Sequence, residues 1–128
     1  MHQPIVTPDA PKAIGPYSQA VSAAAGRVIF CSGQIPLDPR TGELVKGTIE
    51  QETRRVMENL GAVLAAAGAG FGAVVKTTIY LTDLADFTKV NEVYGGYLGE
   101  VAPARATVQV AALPRGARVE IEAIASLE

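Results

Sequence analysis

The strongest constraint on the fold is a change of hydrophobic period along the chain. Residues 48–67 repeat apolar side chains every three or four positions, which predicts an amphipathic helix. Residues 28–32 form a short apolar run and residues 74–82 alternate with period two, and both patterns predict strands. A chain of 128 residues that mixes the two periods predicts one α+β domain over residues 1–128. The helical stripe is Ile49, Thr53, Val56, Leu60, Val63 and Ala67.

The ends of the helices carry their own signals. Thr48 and Gln51 have the spacing of a capping box, and Gly68 and Gly70 follow the last apolar position of the first helix. A second helix is predicted after Asp83 or Asp86, either of which can cap it. Its apolar stripe is Phe87, Val90, Tyr94, Tyr97 and Leu98, which we interpret as core or interface.

The remaining strands are assigned from weaker patterns. Residues 17–23 alternate, and residues 43–45 can form a short extended piece. Residues 104–110 and 119–125 also alternate, and the turn residues 113–116 between them predict a hairpin whose register stays open. The predicted order is β-β-(β)-α-β-α-β-β, a mixed sheet with two helices on one face. The other face is partly apolar, so sheets of several subunits are expected to cover it; its apolar residues are Val21, Phe30 and either Val108 or Ile121.

Composition excludes several classes of function. The net charge is −2, and the basic doublet Arg54-Arg55 is no cluster, which argues against nucleic-acid binding. Cys31 is the one cysteine and His2 the one histidine, so neither an intramolecular disulfide nor a His/Cys metal cluster can form. The sequence contains no run of about 18 apolar residues, which a membrane-spanning helix would need. The N-terminus lacks the pattern of a signal peptide, and we expect a soluble cytoplasmic protein.

Two short motifs invite catalytic readings that their context disfavours. The glycine-rich segment 68–72 follows a helix and opens a strand, which is the reverse of a dinucleotide-binding loop. Cys31 lies in the apolar run Val-Ile-Phe-Cys and has no usable histidine behind it, so a small buried side chain is the better interpretation.

Arg105 and Glu120 are charged residues inside predicted strands. Arg105 has alanine on both sides, so its guanidinium can clamp a carboxylate, or it can form an ion pair with Glu120 or Glu122. Glu120 can be a solvated strand residue or a general acid/base. Asn91, near the aromatic stripe of the second helix, can be a surface amide. The pattern alone leaves these alternatives open.

Seven stretches in order resemble the RidA (YjgF) family of enamine/imine deaminases, and the resemblance covers nearly the whole chain. They are residues 13–19 (AIGPYSQ), 32–36 (SGQIP), 75–78 (VKTT), 83–87 (DLADF), 90–91 (VN), 103–105 (PAR), and LP at 113–114 followed by VEIEAIA at 119–125.

The resemblance implies a chorismate-mutase-like (bacillus-type) fold and a homotrimer with sites in clefts between subunits. It implies hydrolysis of 2-imino acids, released by pyridoxal-phosphate-dependent serine and threonine dehydratases, to 2-keto acids and ammonia without a cofactor or metal. By this resemblance Arg105 holds the substrate carboxylate, Glu120 acts with a water on the imine, and Tyr17 helps place that water. Residues expected to line the pocket are Ser32, Gly33 and Asn91.

Two departures bear on the substrate. Thr107 occupies a position where many members have a cysteine beside the substrate, and the loop 97–103 is shorter than in some members. Alternatives to imine hydrolysis are a regulatory module that binds a small carboxylic acid, or a deaminase of a larger aminodiene acid such as 2-aminomuconate.

Overall fold

The computed structural model describes residues 2–24 and 26–128. Within them the order of strands and α-helices is β1 (Gln3–Ile5), β2 (Ala20–Ser22), β3 (Arg27–Gln34), α1 (Ile49–Ala66), β4 (Val74–Leu81), α2 (Phe87–Gly95), β5 (Ala104–Gln109) and β6 (Val119–Leu127). Short 3₁₀ turns lie at Phe71–Ala73, Leu84–Asp86 and Pro114–Gly116. No helix of the described residues is both long and apolar enough to cross a membrane.

The main sheet has four strands in the order β3-β6-β4-β5. β6 is antiparallel to both of its neighbours, β3 and β4, whereas β5 runs parallel to β4 at the edge. β1 and β2 form a separate antiparallel ribbon. A parallel pair needs a long crossover, and the chain from residue 82 to 103, which contains α2, supplies it.

The predicted hairpin of the last two strands is wrong. Each segment is a strand, but β4 separates β5 from β6 in the sheet. Alternation reports that one face of a segment is buried, and it carries no information about which strand lies alongside. β6 instead occupies an interior position, because its alternate residues Val119, Ile121 and Ala123 are fully buried under the helices.

The capping box that begins α1 is confirmed. Thr48 Oγ1 accepts a hydrogen bond from the Gln51 N–H (3.2 Å), and Gln51 Oε1 accepts one from the Thr48 N–H (2.9 Å). α1 ends at Ala66, and Gly68 then adopts a left-handed φ of 78°. Asp83 caps the 3₁₀ turn before α2, since its Oδ1 accepts a bond from the Ala85 N–H.

Several predicted boundaries differ from the structure. The strand predicted at 17–23 shrinks to β2, and the extended piece at 43–45 is a single bridge between Leu37 and Leu44. In α1 the buried stripe shifts away from Val63, which is exposed. A period of 3.6 defines a stripe only to within one position on either side. The buried residues of α1 are Ile49, Glu52, Thr53, Val56, Met57, Leu60 and Leu64.

Both helices contribute to one core against one face of the sheet, as predicted. The opposite face leaves Phe30 77% and Val108 41% exposed, whereas Ile121 is buried on the helix side. Val21 lies outside this face, in the β1–β2 ribbon. The chain therefore has an apolar sheet surface that none of its own described helices covers.

Candidate active site

Arg105 projects from the edge strand β5 toward the helices. It lies opposite Thr77 of β4, and residues paired across neighbouring strands point to the same face. Thr77 is buried, and its hydroxyl forms a 2.7 Å hydrogen bond with the hydroxyl of Tyr94 on α2. The guanidinium is thus placed between the outer strand and α2.

Three aromatic rings surround this guanidinium. Its Cζ lies 5.3 Å from the centre of the Tyr17 ring, 5.6 Å from that of Phe87 and 5.5 Å from that of Tyr94. Arg105 Nη1 also donates a hydrogen bond to Asn91 Oδ1. Phe87, Asn91 and Tyr94 share one face of α2, because they are spaced by four and three residues. We call these five residues the Arg105 group.

Arg105 has no anionic partner within the described part of the chain. The ion pairs there join Asp38 to Arg40, Arg55 to Glu58 and Glu52 to Arg118. The side chain is half-buried, and this burial lowers the pKa of the guanidinium from its usual value. A partly desolvated cation faced by rings and a neutral amide is a site that favours an anion.

Glu120 lies on the opposite face of the sheet. It pairs with Tyr80 of β4, three residues beyond Thr77, and an odd number of residues along a regular strand reverses the side-chain direction. Glu122 pairs with Thr78 and faces the same way as Glu120. Within one chain, the alternative of an ion pair between Arg105 and either glutamate is therefore excluded, since the sheet separates them.

Ser32 and Gly33 form an irregularity of β3 beside Glu120. The register between β3 and β6 shifts between Cys31 and Gln34, so two residues of β3 oppose one of β6. Such a bulge bends a strand and re-aims its side chains. A Cβ atom at Gly33 would overlap Glu120 Oε2, so only glycine allows the carboxylate to lie against this backbone. We call Ser32, Gly33 and Glu120 the Glu120 group.

The neighbours of the Glu120 group on the open face are also polar. Burial, and after it a hydrogen bond to the Glu122 side chain, raise the pKa of the Tyr80 hydroxyl. Tyr80 pairs directly with Glu120 across β4 and β6. Glu122 therefore also lies beside Tyr80 on this open face.

Thr107 belongs to the side of the Arg105 group. It pairs with Ile79, two residues beyond Thr77, and so faces the helices as Arg105 does. Its Oγ1 is buried and has no hydrogen-bond partner among the described residues. An unpaired buried hydroxyl costs roughly 1–3 kcal/mol, so this position is unfavourable in the isolated chain.

The structure thus brings the predicted site residues together in two places rather than one. Tyr17, Asn91 and Arg105 form one cluster with Thr107 nearby, and Gly33 and Glu120 form the other, with Ser32 next to Gly33 in the bulge. No single molecule of substrate can bridge them through the sheet of one chain, because side chains of opposite faces project away from each other.

Sequence reasoning missed Phe87 and Tyr94 as site residues, because it assigned them to core or interface. Tyr94 is indeed fully buried, which raises the pKa of its hydroxyl, but its ring also faces Arg105. The signal was present: an amide at 91 lies between aromatic residues at 87 and 94 on one helix face.

The disfavoured motifs behave as predicted. Cys31 is a core residue, and burial raises the pKa of its thiol, which makes it a poor nucleophile. The segment 68–72 joins the end of α1 to β4.

Within residues 2–24 and 26–128, no three histidine, cysteine or acidic side chains cluster closely enough to hold a metal ion.

Known proteins resemble this chain over nearly its whole length. The family model described as Endoribonuclease L-PSP matches residues 7–127. Protein DfrA of Myxococcus xanthus is 66% identical over 116 residues, which are 91% of this chain and 88% of that protein. A mouse (Mus musculus) protein named 2-iminobutanoate/2-iminopropanoate deaminase is 56% identical over 121 residues, which are 94% of this chain and 88% of that protein.

A solved structure agrees with the fold. The crystal structure of a putative endoribonuclease from Thermotoga maritima is 55% identical, has a TM-score of 0.78, and covers 100% of this chain and 99% of its own. The α+β, chorismate-mutase-like architecture predicted from the sequence is confirmed. The chain belongs to the Endoribonuclease L-PSP family, which is the RidA (YjgF) family.

Proposed function

We propose that this protein hydrolyses reactive 2-imino acids and their enamine tautomers to 2-keto acids and ammonia. The observation that carries the proposal is the half-buried Arg105 guanidinium, which three aromatic rings and one amide hold without an anionic partner in the described chain. Relatives named for this deaminase activity support the proposal, the mouse protein among them.

The Arg105 group binds the carboxylate end of the substrate. The planar fork of a guanidinium matches a carboxylate through two parallel hydrogen bonds. Asn91 fixes one side of the fork, since its oxygen accepts from Nη1. The rings of Tyr17, Phe87 and Tyr94 hold the guanidinium in place and keep water from solvating it freely.

The acid/base comes from a second subunit. Arg105 and Glu120 lie on opposite faces of one sheet, which supports a site formed where the Arg105 group of one subunit meets the Glu120 group of the next. The exposed Phe30 and Val108 support burial of the open sheet face in such an assembly. We propose a homotrimer, in which each head-to-tail interface supplies one complete site.

The chemistry needs only water and a group that moves protons. Tyr17 orients a water molecule, whose oxygen forms a bond to C2 of the imine while the C=N π pair moves to nitrogen. Glu120 takes a proton from that water and delivers it to nitrogen, which gives the neutral carbinolamine. Glu120 then carries the hydroxyl proton to the amino nitrogen, the C–N bond breaks, ammonia leaves, and the oxygen forms the C=O bond of the keto acid. Positioned acid/base help of this kind contributes roughly 10²–10⁴-fold.

A cytoplasmic location is part of the proposal. The single cysteine is compatible with it, because Cys31 is free and buried and needs no oxidising compartment. The substrate also supports it: imines released by dehydratases are short-lived, so the enzyme that hydrolyses them must be in the same compartment as the dehydratases.

The test is a coupled assay in which threonine dehydratase generates 2-iminobutanoate in the cuvette. The protein should accelerate release of 2-ketobutanoate and ammonia. Arg105→Ala should lower kcat/KM roughly 10- to 150-fold, because a charge-assisted contact contributes about 1.5–3 kcal/mol. Arg40→Ala removes an exposed arginine with a single weak ion pair and should leave kcat/KM unchanged.

Equal activity of Arg105→Ala and the unmodified protein would overturn the role of the carboxylate clamp. Binding of 2-ketobutanoate without any acceleration of imine hydrolysis would instead favour a module that binds a small carboxylic acid. A preference for 2-aminomuconate in the same assay would favour the deaminase of larger aminodiene acids.

A further inference from the structure

The segment that leads to Tyr17 is held in an unusual way. Residues 6–16, here called the N-terminal strap, connect β1 to Tyr17 without regular secondary structure. The strap is mostly exposed, with Val6 at 81% and Ile14 at 88%. Three prolines, at 8, 11 and 16, also remove backbone donors from it. Burial of apolar surface within the chain therefore contributes little to its conformation.

One side chain, that of Gln19, holds the strap instead. Its Oε1 accepts a hydrogen bond from the Thr7 N–H (2.7 Å), and its Nε2 donates back to the Thr7 carbonyl (3.1 Å). Nε2 also donates to the carbonyls of Pro11 (2.7 Å) and Ala10 (3.3 Å). An amide nitrogen has two protons, so the longer Ala10 contact shares one of them. The Gln19 side-chain amide therefore hydrogen-bonds to both ends of the Thr7–Pro11 turn, as a backbone peptide group could.

The far end of the strap contacts two members of the Arg105 group. The Tyr17 N–H donates to the Gly15 carbonyl (2.7 Å), and the Ile14 N–H lies 3.5 Å from the Tyr17 hydroxyl. A Cβ atom at Gly15 would lie 3.5 Å from Asn91 Nδ2 and 3.7 Å from the Tyr17 ring. Tyr17 also lines an open cavity of about 580 Å³ whose other walls include the strap and Gln19.

This cavity makes the position of the ring depend on the strap. A close-packed core would hold Tyr17 by contacts on every side. Tyr17 borders this open space, so the contacts at Gly15 and Ile14 restrain it on the strap side, while the hydrogen bonds of Ser18 to the Ala102 and Pro103 carbonyls fix the backbone beside it. Those two residues are in turn restrained through the Thr7–Pro11 turn by the Gln19 amide.

We propose that Gln19 is a positioning residue for imine hydrolysis, which acts through the strap on Tyr17. The inference rests on the proposed function, in which Tyr17 orients the attacking water. Gln19 touches no reacting atom. When it releases the strap, the Tyr17 ring and hydroxyl gain freedom, and the water is misplaced while the Arg105 fork still binds carboxylate.

The test is a double-mutant cycle on Gln19→Glu and Tyr17→Phe in the dehydratase-coupled assay. A glutamate has the shape of glutamine, but its carboxylate cannot donate to the Thr7, Ala10 and Pro11 carbonyls. Gln19→Glu should lower kcat about tenfold with little change in KM, as expected for an interaction that matters in the transition state. In the Tyr17→Phe background the same change should cost less than about twofold, because both act on one water.

Controls separate positioning from damage to the fold. Gln51→Glu makes the same chemical change at a residue whose side-chain oxygen only accepts, from the Thr48 N–H, and should leave kcat unchanged. The dissociation constant of 2-ketobutanoate should change less than about twofold in Gln19→Glu, since it reports the Arg105 fork. Hydrogen exchange of residues 7–16 should rise while that of β4 and β6 stays the same. Gln19→Asn, which keeps the amide but falls one methylene short, should give the same pattern.

Three outcomes overturn the inference: unchanged kcat in Gln19→Glu although exchange shows the strap released, additive losses in the double variant, or a loss of kcat accompanied by exposed β4 and β6 amides. Failure of the proposed function looks different. In that case the unmodified protein would itself not accelerate imine hydrolysis, or Arg105→Ala would keep full activity.

Discussion

Two variants of strongly reduced activity should restore each other's activity when their subunits are mixed. Arg105→Ala removes the carboxylate contact from one face of the sheet, and Glu120→Gln removes the acid/base from the other. Because the register of β4 places these residues on opposite faces, each site of the proposed assembly takes one from each of two subunits. A mixed assembly therefore contains some sites with both native residues.

The expected recovery follows from counting. In a random 1:1 mixture, the subunit that supplies position 105 is native there with probability one half, and so is its neighbour at position 120. About a quarter of the sites are then complete, so the mixture should show about 25% of native activity. The same fraction holds for any closed ring with one head-to-tail interface per site.

The assay is imine hydrolysis after the two variants are unfolded together and refolded, with native mass spectrometry to verify that subunits have mixed. A mixture of Arg105→Ala with the double variant Arg105→Ala/Glu120→Gln provides the control and should stay inactive. If mixing is complete and activity stays at the level of the parent variants, the site does not span two subunits, and the argument from opposite faces fails.

Two further predictions concern single positions. Gly33→Ala should lower kcat about 10²-fold, because the new Cβ displaces the Glu120 carboxylate. It should change the melting temperature by only a few degrees, because no core backbone is displaced. Gly42→Ala is the control: at a φ of 72° with open space around it, this variant should lose stability but keep activity. Thr107→Val should raise the free energy of unfolding, measured by urea titration, by about 1 kcal/mol, since it removes an unpaired buried hydroxyl. Thr53→Val breaks a 2.7 Å hydrogen bond to the Ile49 carbonyl and should lower this free energy by a similar amount. A loss of stability in Thr107→Val would mean that the hydroxyl finds a partner in the assembly.

Local patterns predicted the elements well where one side chain or one period sufficed. The capping box at Thr48 needs only residues three apart, and the alternation of residues 74–82 needs only one buried face, so both were found. Three residues of the Arg105 group were found too: the pattern singled out Asn91 and Arg105, whereas Tyr17 became a candidate only through resemblance to a family, which also favoured the clamp role of Arg105. Phe87 and Tyr94 were assigned to the core because an aromatic stripe on a helix has the same spacing whether it covers apolar side chains or a cation.

The sequence by itself determined the fold class, the family and the chemical types of the proposed site: an arginine fork, a carboxylate, an amide and a tyrosine. Only the tertiary structure decided that β4 lies between β5 and β6, and hence that Arg105 and Glu120 occupy opposite faces of the sheet. The physical reason is that side-chain alternation is a property of one strand, whereas pairing is chosen by all strands together through the core that they bury. The same holds for Gln19, whose hold on the strap depends on a fold that returns residues 7–11 to its amide.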